Sequence, residues 1–302
     1  MRTIEIYTET VQTGIGHSSK GNQLKWLQDG WWYKADAFGF ESLAETAVSA
    51  LLEHSTIQDF VRYEPVMIRY QDKDFRGCRS RSFRRETEEL VPLERLSRIY
   101  TGFGLAQELS CISGCRERIL YTEKLVRNVT GIRNFGEYLT KMLEMDAFFL
   151  NEDRHTNNIA VLYDIEKRTW RLCPFFDMGL SLFSDTREAY PLESGFTQCR
   201  EKITAKPFSV DFDEQLDAAE ELYGTFLQFD FSRSTIAKLL TGDRLLGGEG
   251  EQNRSDREKA AIKRFETLGK EYSEREFQRV EEVLRYQAGK YQYFFCGRSG
   301  LF

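Results

Sequence analysis

The feature that most constrains the fold of this chain is an Asp-Gly pair, Asp29 and Gly30, which lies between two aromatic-rich runs. Asp-Gly is typical of the two-residue turns of β-hairpins, because such turns need positive φ at both positions. A turn at this place also sets the register of the two strands. The predicted pairs are Gln28 with Trp31, Leu27 with Trp32, Trp26 with Tyr33 and Lys25 with Lys34. The first third of the chain is therefore expected to contain a sheet.

The segments around this hairpin predict an α+β fold in two lobes. Strands are predicted for Thr3 to Val11 and around residues 60–70, 75–83, 159–163 and 170–176, and helices over residues 41–54, 135–150 and 272–291. The pattern becomes mainly helical from about Val91. We therefore predict a small β-rich N-terminal lobe at residues 1–88 and a larger α-helical lobe at residues 89–302, with a hinge near residues 83–89.

Composition excludes some classes of protein. The 302 residues carry a formal charge of -6, which argues against nucleic-acid binding driven by bulk charge. The arginine-rich segment at residues 76–85 is expected to be a solvated strand face, followed by an acidic helix start at Glu86. Six cysteines at unrelated spacings predict free thiols in a reducing cytosol. We expect no signal peptide and no membrane span, and hence a cytoplasmic protein, with export as an effector left open.

A polar loop after the apolar helix at residues 135–150 carries the strongest chemical signal. It contains Asp153 and Asn158, and a short predicted hairpin separates it from Asp177. Phosphoryl transfer needs a carboxylate to orient the attacking hydroxyl, together with an amide oxygen and a second carboxylate on Mg²⁺. A hairpin brings its two ends back to one place, so these side chains are expected to converge. Each motif alone is ordinary turn chemistry, and only their conjunction favours a phosphoryl-transfer site.

The motif DRHTNN (residues 153–158) followed by DMG (residues 177–179) resembles the HipA-like kinases. The same loop order occurs in phosphoinositide-3-kinase-like kinases. Ordinary eukaryotic protein kinases place Arg before the catalytic Asp, so the order found here favours the HipA-like branch. The stretch at residues 203–208 is also similar to that family, and the resemblance extends loosely from about Ser18 over most of the chain.

This resemblance implies a protein-kinase-like fold that uses ATP and Mg²⁺. It implies Asp153 as the catalytic aspartate, with Asn158 and Asp177 as metal ligands. His155 would then be a structural part of the loop rather than a base, and this chemistry does not require a histidine.

The N-terminal lobe should supply a lysine for the ATP phosphates and a helix glutamate that holds it. The predicted register places Lys25 directly opposite Lys34, and like charges at paired positions repel. A polyanion or a carboxylate between them would explain the arrangement. We predict Lys34 as the phosphate-binding lysine and Glu45 as its partner, with Glu41 as a competitor. Lys25 is a further candidate for ATP binding, although an exposed lysine on a hairpin is also common.

A glycine-punctuated loop at residues 14–22 precedes the hairpin, where a phosphate-covering loop would lie. Its candidate cofactor-binding residues are Ser18, Ser19, Lys20 and Gly21. The two serines are also candidate autophosphorylation sites.

The leading hypothesis is an ATP- and Mg²⁺-dependent protein serine/threonine kinase of the HipA-like type, capable of autophosphorylation. One alternative keeps the fold and transfers phosphate to a lipid or small-molecule hydroxyl. Another is a non-catalytic nucleotide-binding or interaction module. The resemblance also implies a DNA-binding antitoxin as a partner, but this chain looks too short for the toxin's N-terminal extension, which argues against that partner. We expect no direct nucleic-acid binding and no membrane.

Overall fold

The computed structural model describes residues 1–10, 23–230, 268 and 270–295, and these residues belong to two compact units. The first, here called the sheet unit, comprises Met1–Arg81, Met178–Lys202 and Gln228–Phe302. The second, the helical unit, comprises Ser82–Asp177 and Ile203–Leu227. The lobe boundary between residues 88 and 89 stays a prediction.

The sheet unit contains a five-stranded sheet in the order β1-β4-β5-β3-β2. Its elements are β1 (Arg2–Glu5), β2 (Lys25–Gln28), β3 (Trp31–Ala35), α1 (Glu41–Leu52), β4 (Glu64–Tyr70) and β5 (Lys73–Arg81). β1 pairs with β4 in parallel, and the other pairs are antiparallel. The predicted order of three strands, one helix and two strands is confirmed.

The predicted first strand is too long, because β1 ends at Glu5. Next to this end the side chain of Gln28 accepts from the Tyr7 N–H at 2.9 Å and donates to the Glu5 carbonyl at 3.1 Å. Val11, the predicted end of the strand, lies outside the described residues.

The hairpin of β2 and β3 has the predicted register at all four pairs, including Lys25 with Lys34. Asp29 and Gly30 have φ of 52° and 74°, as a two-residue turn of this kind requires. Because the turn is the predicted one, every later residue of β3 lies on its predicted face.

Helix α1 is buried along its whole length. Its apolar side chains, such as Leu43 and Leu51, pack in the core. Glu41 accepts the backbone N–H groups of residues 37, 38 and 39 at 2.7–2.9 Å. A carboxylate in the first turn of a helix also complements the helix dipole.

The helical unit contains three strands and five helices. They are β6 (Glu88–Pro92), α2 (Leu93–Thr101), α3 (Leu105–Ser110), α4 (Cys115–Thr130), α5 (Phe135–Phe149), β7 (Ala160–Asp164), β8 (Thr169–Leu172) and α7 (Phe212–Tyr223). The sheet unit also contains α6 (Phe196–Lys202) and α8 (Glu274–Lys290). In the helical unit β6, β7 and β8 form an antiparallel sheet in that order.

The predicted acidic helix start at Glu86 is wrong, because residues 88–92 form strand β6. Glu88 lies opposite Asp164 in the register with β7, and Arg171 binds its carboxylate through two hydrogen bonds of 2.7 Å. Pairing with a strand about seventy residues later therefore outweighs the local helical pattern.

The arginine-rich segment is only partly solvated. Arg79 and Arg81 stand over the ring of Trp31, each at 4.1 Å from the centroid. Arg76 bonds to Glu276 at 3.1 Å, the residue that completes the capping box of α8 with Ser273. These arginines therefore hold structure together in the sheet unit as well as facing water.

Candidate active site

The polar loop after α5 is held by a buried ion pair. Asp146, on the last turn of α5, accepts two hydrogen bonds from Arg154, from Nε at 2.8 Å and from Nη2 at 3.0 Å. Both residues are almost fully buried. Burial opposes the charge of the guanidinium, but the facing carboxylate outweighs this effect and raises the pKa of Arg154. The loop is therefore fixed at its centre by a charged pair.

Arg154 also ties this loop to the segment that precedes Asp177. Its Nη1 donates to the carbonyl of Asn158 at 3.0 Å and to the carbonyl of Phe176 at 3.2 Å. One nitrogen thus connects the residue that ends the DRHTNN loop and the residue before Asp177. The backbones of the two loops are thus joined within the helical unit, and the convergence of the Asp153, Asn158 and Asp177 side chains stays a prediction.

Asp153 and Asn158 face each other within the loop. The Asn158 amide nitrogen donates to the Asp153 carbonyl at 2.9 Å and to Asp153 Oδ2 at 3.3 Å. The Asp153 N–H donates to Asn151 Oδ1 at 3.3 Å, and Asn151 in turn donates to Asp146. The candidate catalytic carboxylate, which is 8% exposed, is therefore positioned by its own loop.

Asp177 has a left-handed backbone, with φ of 64°. Non-glycine residues in this conformation are uncommon, and Asp is one of the residue types that tolerate it. Such backbone conformations concentrate at functional sites. Asp177 is also the last residue of the helical unit's first segment, and Met178 begins the next segment of the sheet unit.

His155 takes part in the turn of the loop. Its Nδ1 accepts from the Asn157 N–H at 3.2 Å, and its Nε2 lies 3.8 Å from Asp153 Oδ2. Thr156, the next residue, donates its hydroxyl to Glu94 on α2 at 2.7 Å. These contacts attach the loop to a helix of the same unit.

In the sheet unit, Lys34 forms the ion pair that its position predicts. Its Nζ donates to Glu45 Oε1 at 2.6 Å and lies 3.5 Å from the hydroxyl of Tyr63. The second oxygen of Glu45 accepts the N–H of Met178 at 3.0 Å. Glu41, the competitor, instead accepts the backbone donors that precede α1. The pairing of Lys34 with Glu45 is thus observed, and their role in nucleotide binding stays a prediction.

Among the other candidate cofactor-binding residues, the structure describes Lys25. Lys25 lies on β2, half-buried and opposite Lys34. Ser18, Ser19, Lys20 and Gly21 lie outside the described residues.

The candidate metal ligands Asn158 and Asp177 carry the amide and carboxylate oxygens that a hard divalent cation prefers. Because the amide nitrogen of Asn158 is directed at Asp153, its oxygen is directed away from that carboxylate. Carboxylate and amide oxygens are the ligands that Mg²⁺ takes in proteins, usually with substrate phosphates completing the shell. Within the described residues no group of three or more His, Cys, Asp or Glu side chains could hold a metal. Asn158 and Asp177 stay the predicted ligands of Mg²⁺.

Sequence reasoning assigned no role to Arg154, Asp146 or Lys206. Lys206 Nζ lies 3.9 Å from Asp153 Oδ1, although fifty-odd residues separate them in the chain. A signal for the ion pair was available, because Asp146 lies on a helix whose neighbouring positions are apolar, and a charge there needs a buried partner. Lys206 lies in the stretch at residues 203–208, whose resemblance indicated a family but no contact with Asp153.

The sequence matches none of the protein-family models, and none of the curated proteins is detectably similar to it. Among solved structures, the chain is similar to the crystal structure of the proinflammatory kinase CtkA of Helicobacter pylori. The TM-score is 0.51 at 14% sequence identity, over 92% of this chain and 99% of that one. A likeness at this identity shows the fold alone. The predicted α+β kinase-like fold, with a β-sheet N-terminal region and a helical remainder, is confirmed.

The described part of the chain contains no helix with the length and apolar character that a bilayer crossing needs.

Proposed function

We propose that this chain is an ATP- and Mg²⁺-dependent kinase of the HipA-like type, which transfers the γ-phosphoryl group of ATP to a serine or threonine hydroxyl of a protein. The observation that carries the proposal is the double contact of Arg154 Nη1 with the carbonyls of Asn158 and Phe176. It supports a site in which Asp153, Asn158 and Asp177 act together. The kinase-like fold supports the same reaction class.

In this mechanism Asp153 orients the acceptor hydroxyl and takes its proton, as a general base within hydrogen-bond reach. Asn158 directs its amide nitrogen to Asp153 and so keeps the carboxylate in place. Lys34 binds phosphate oxygens of ATP, and Glu45 orients the ammonium group. Mg²⁺, when bound through Asn158 and Asp177, supplies neutralisation of the phosphate charge. Positioning and charge stabilisation provide most of the rate enhancement.

Incubation of the purified chain with γ-labelled ATP and Mg²⁺ tests this function. We expect label on the protein itself or on an added protein acceptor, and the phosphorylated residue, identified by mass spectrometry, to be serine or threonine. Ser18 and Ser19 are the first candidates. The variants Asp153→Asn and Asp177→Asn should each lose transfer by about 10²–10⁴-fold, the usual contribution of a general base or of a metal-bound carboxylate.

The matched control is Asp217→Asn, which removes an exposed carboxylate on α7 of the same unit. It should transfer at the wild-type rate. Equal transfer by wild type and Asp153→Asn would refute a catalytic role for the loop and favour a nucleotide-binding module. Label found only on an added lipid or small alcohol would favour the other acceptor class.

A further inference from the structure

The segment that carries Lys206 is firmly anchored on both sides. Ala205 and Phe208 are 2% and 0% exposed. The Ala205 N–H donates to the Val210 carbonyl at 2.8 Å, and the Phe208 N–H donates to Gln215 Oε1 on α7 at 3.0 Å. Arg118 of α4 binds the Phe208 carbonyl at 2.8 Å. The backbone at Lys206 is therefore held by two helices of the helical unit.

The side chain of Lys206 extends from this anchor to the candidate catalytic carboxylate. Its ammonium group lies 3.9 Å from Asp153 Oδ1, and the side chain is 37% exposed. An ion pair with this much exposure contributes little to stability. Stability therefore does not explain a lysine at this place.

The geometry of phosphoryl transfer provides an explanation. The acceptor oxygen must lie about 2.6–3.2 Å from the base, and the phosphorus about 3–3.5 Å beyond it. A lysine beside Asp153, on a flexible four-carbon side chain, is thus within reach of the phosphoryl group in transfer. The charge on the oxygens of that group is what a positioned cation stabilises.

We infer that Lys206 is a further catalytic residue, whose ammonium group binds the γ-phosphoryl oxygens of ATP during transfer; this inference rests on the proposed kinase function. In the reaction the acceptor oxygen forms a bond to the γ-phosphorus, and the bond from that phosphorus to the β,γ-bridging oxygen breaks. ADP leaves with the electron pair of that bond, and the hydroxyl proton passes to Asp153. Lys206 keeps its proton and acts through charge alone.

The variant Lys206→Met retains the length of the side chain and removes its charge. We expect kcat for transfer to fall by about 10²–10³-fold, the usual loss for one transition-state donor. Affinity for a non-hydrolysable ATP analogue should fall about tenfold, while affinity for ADP stays within about twofold, because ADP lacks the γ-phosphate. Lys206→Arg should recover part of the rate. The control Lys124→Met, at an exposed position on α4, should match wild type in all three measurements.

The outcomes separate this inference from the function on which it rests. Wild-type transfer with an unchanged rate in Lys206→Met would overturn the role of Lys206 and leave the kinase function intact. Equal losses of ADP and analogue binding would also overturn it, because they indicate a structural role. Absence of transfer by wild type would overturn both. A selective loss of analogue binding together with a reduced kcat supports the assignment.

Discussion

The sheet unit and the helical unit each contain a buried ion pair, and the two pairs differ in what the cation binds. In the sheet unit Lys34 pairs with Glu45, and its Nζ also lies 3.5 Å from the Tyr63 hydroxyl. In the helical unit Arg154 pairs with Asp146 and also donates to two backbone carbonyls. The guanidinium group therefore donates four hydrogen bonds to other atoms of the protein. The ammonium group is instead a compact point charge that faces the Glu45 carboxylate.

This difference teaches that burial of a charge does not by itself identify a functional residue. A planar guanidinium with fixed donors suits the task of holding two loops together. A lysine ammonium group is the usual point charge for phosphate. The comparison leads us to expect that Arg154 acts on stability, and Lys34 on activity.

The largest expected effect is that of Arg154→Met. Removal of the guanidinium leaves Asp146 as an uncompensated charge in the interior, which usually costs about 3–5 kcal/mol of unfolding free energy. Urea denaturation followed by circular dichroism measures this cost. The double variant Asp146→Asn/Arg154→Met should recover part of it, because no buried charge remains. A cost of Arg154→Met below about 1 kcal/mol would contradict the structural role.

The second-largest expected effect is the loss of activity in Lys34→Met. We expect phosphoryl transfer to fall by about 10²–10³-fold, as for the loss of one positioned electrostatic donor. The destabilisation should be smaller than that of Arg154→Met, because Arg154→Met also removes the hydrogen bonds to the carbonyls of Asn158 and Phe176. Label transfer and urea denaturation on the same preparation measure both quantities. Lys73→Met, an exposed lysine on β5, is the control. A Lys34→Met variant that keeps its activity but is strongly destabilised would mean that Lys34, like Arg154, acts on stability.

The same contrast explains how much of the molecule the sequence could predict. The register of the hairpin, and with it the position of Lys34, followed from the Asp29-Gly30 turn, because a two-residue turn encodes its strand pairing locally. Glu45 was the predicted partner of Lys34 with Glu41 as a competitor, and the structure shows the bond to Glu45. In the helical unit, the DRHTNN and DMG segments were recognisable because a hairpin joins them, and their connection through Arg154 could not be read from spacing.

Elements whose partners are distant in the chain were missed. Strand β6 has acidic residues and only five positions, and it forms by pairing with β7, about seventy residues later. The contact of Lys206 with Asp153 depends on a segment that α4 and α7 hold in place. Such contacts are set by tertiary packing, for which a single sequence carries no local signal.

The smallest expected effect concerns a third ion pair, which extends the comparison to a partly exposed partner. Hydrogen bonds from Arg171 lower the pKa of Glu88 to about 2, against the opposing effect of burial. Because the pKa in the folded state lies below the unfolded value of about 4.5, the pair stabilises the protein above pH 4.5 and loses this effect as the pH falls to 2. Arg171 is about one-third exposed, so solvent screens the pair. We therefore expect a contribution of about 1 kcal/mol.

Urea denaturation of wild type and Glu88→Gln at pH values between 2 and 7 measures this contribution. The difference in unfolding free energy between the two proteins should be largest above pH 4.5 and should shrink towards pH 2, where Glu88 of wild type is protonated in the unfolded state and about half-protonated in the folded state. Glu89→Gln is the matched control, because Glu89 is exposed on the same strand and lies 3.9 Å from Arg95. A difference between wild type and Glu88→Gln that stays constant with pH would mean that Glu88 acts through packing. A difference as large as that of Arg154→Met would mean that partial exposure of Arg171 does not weaken the pair, and the distinction between buried and screened pairs would fail.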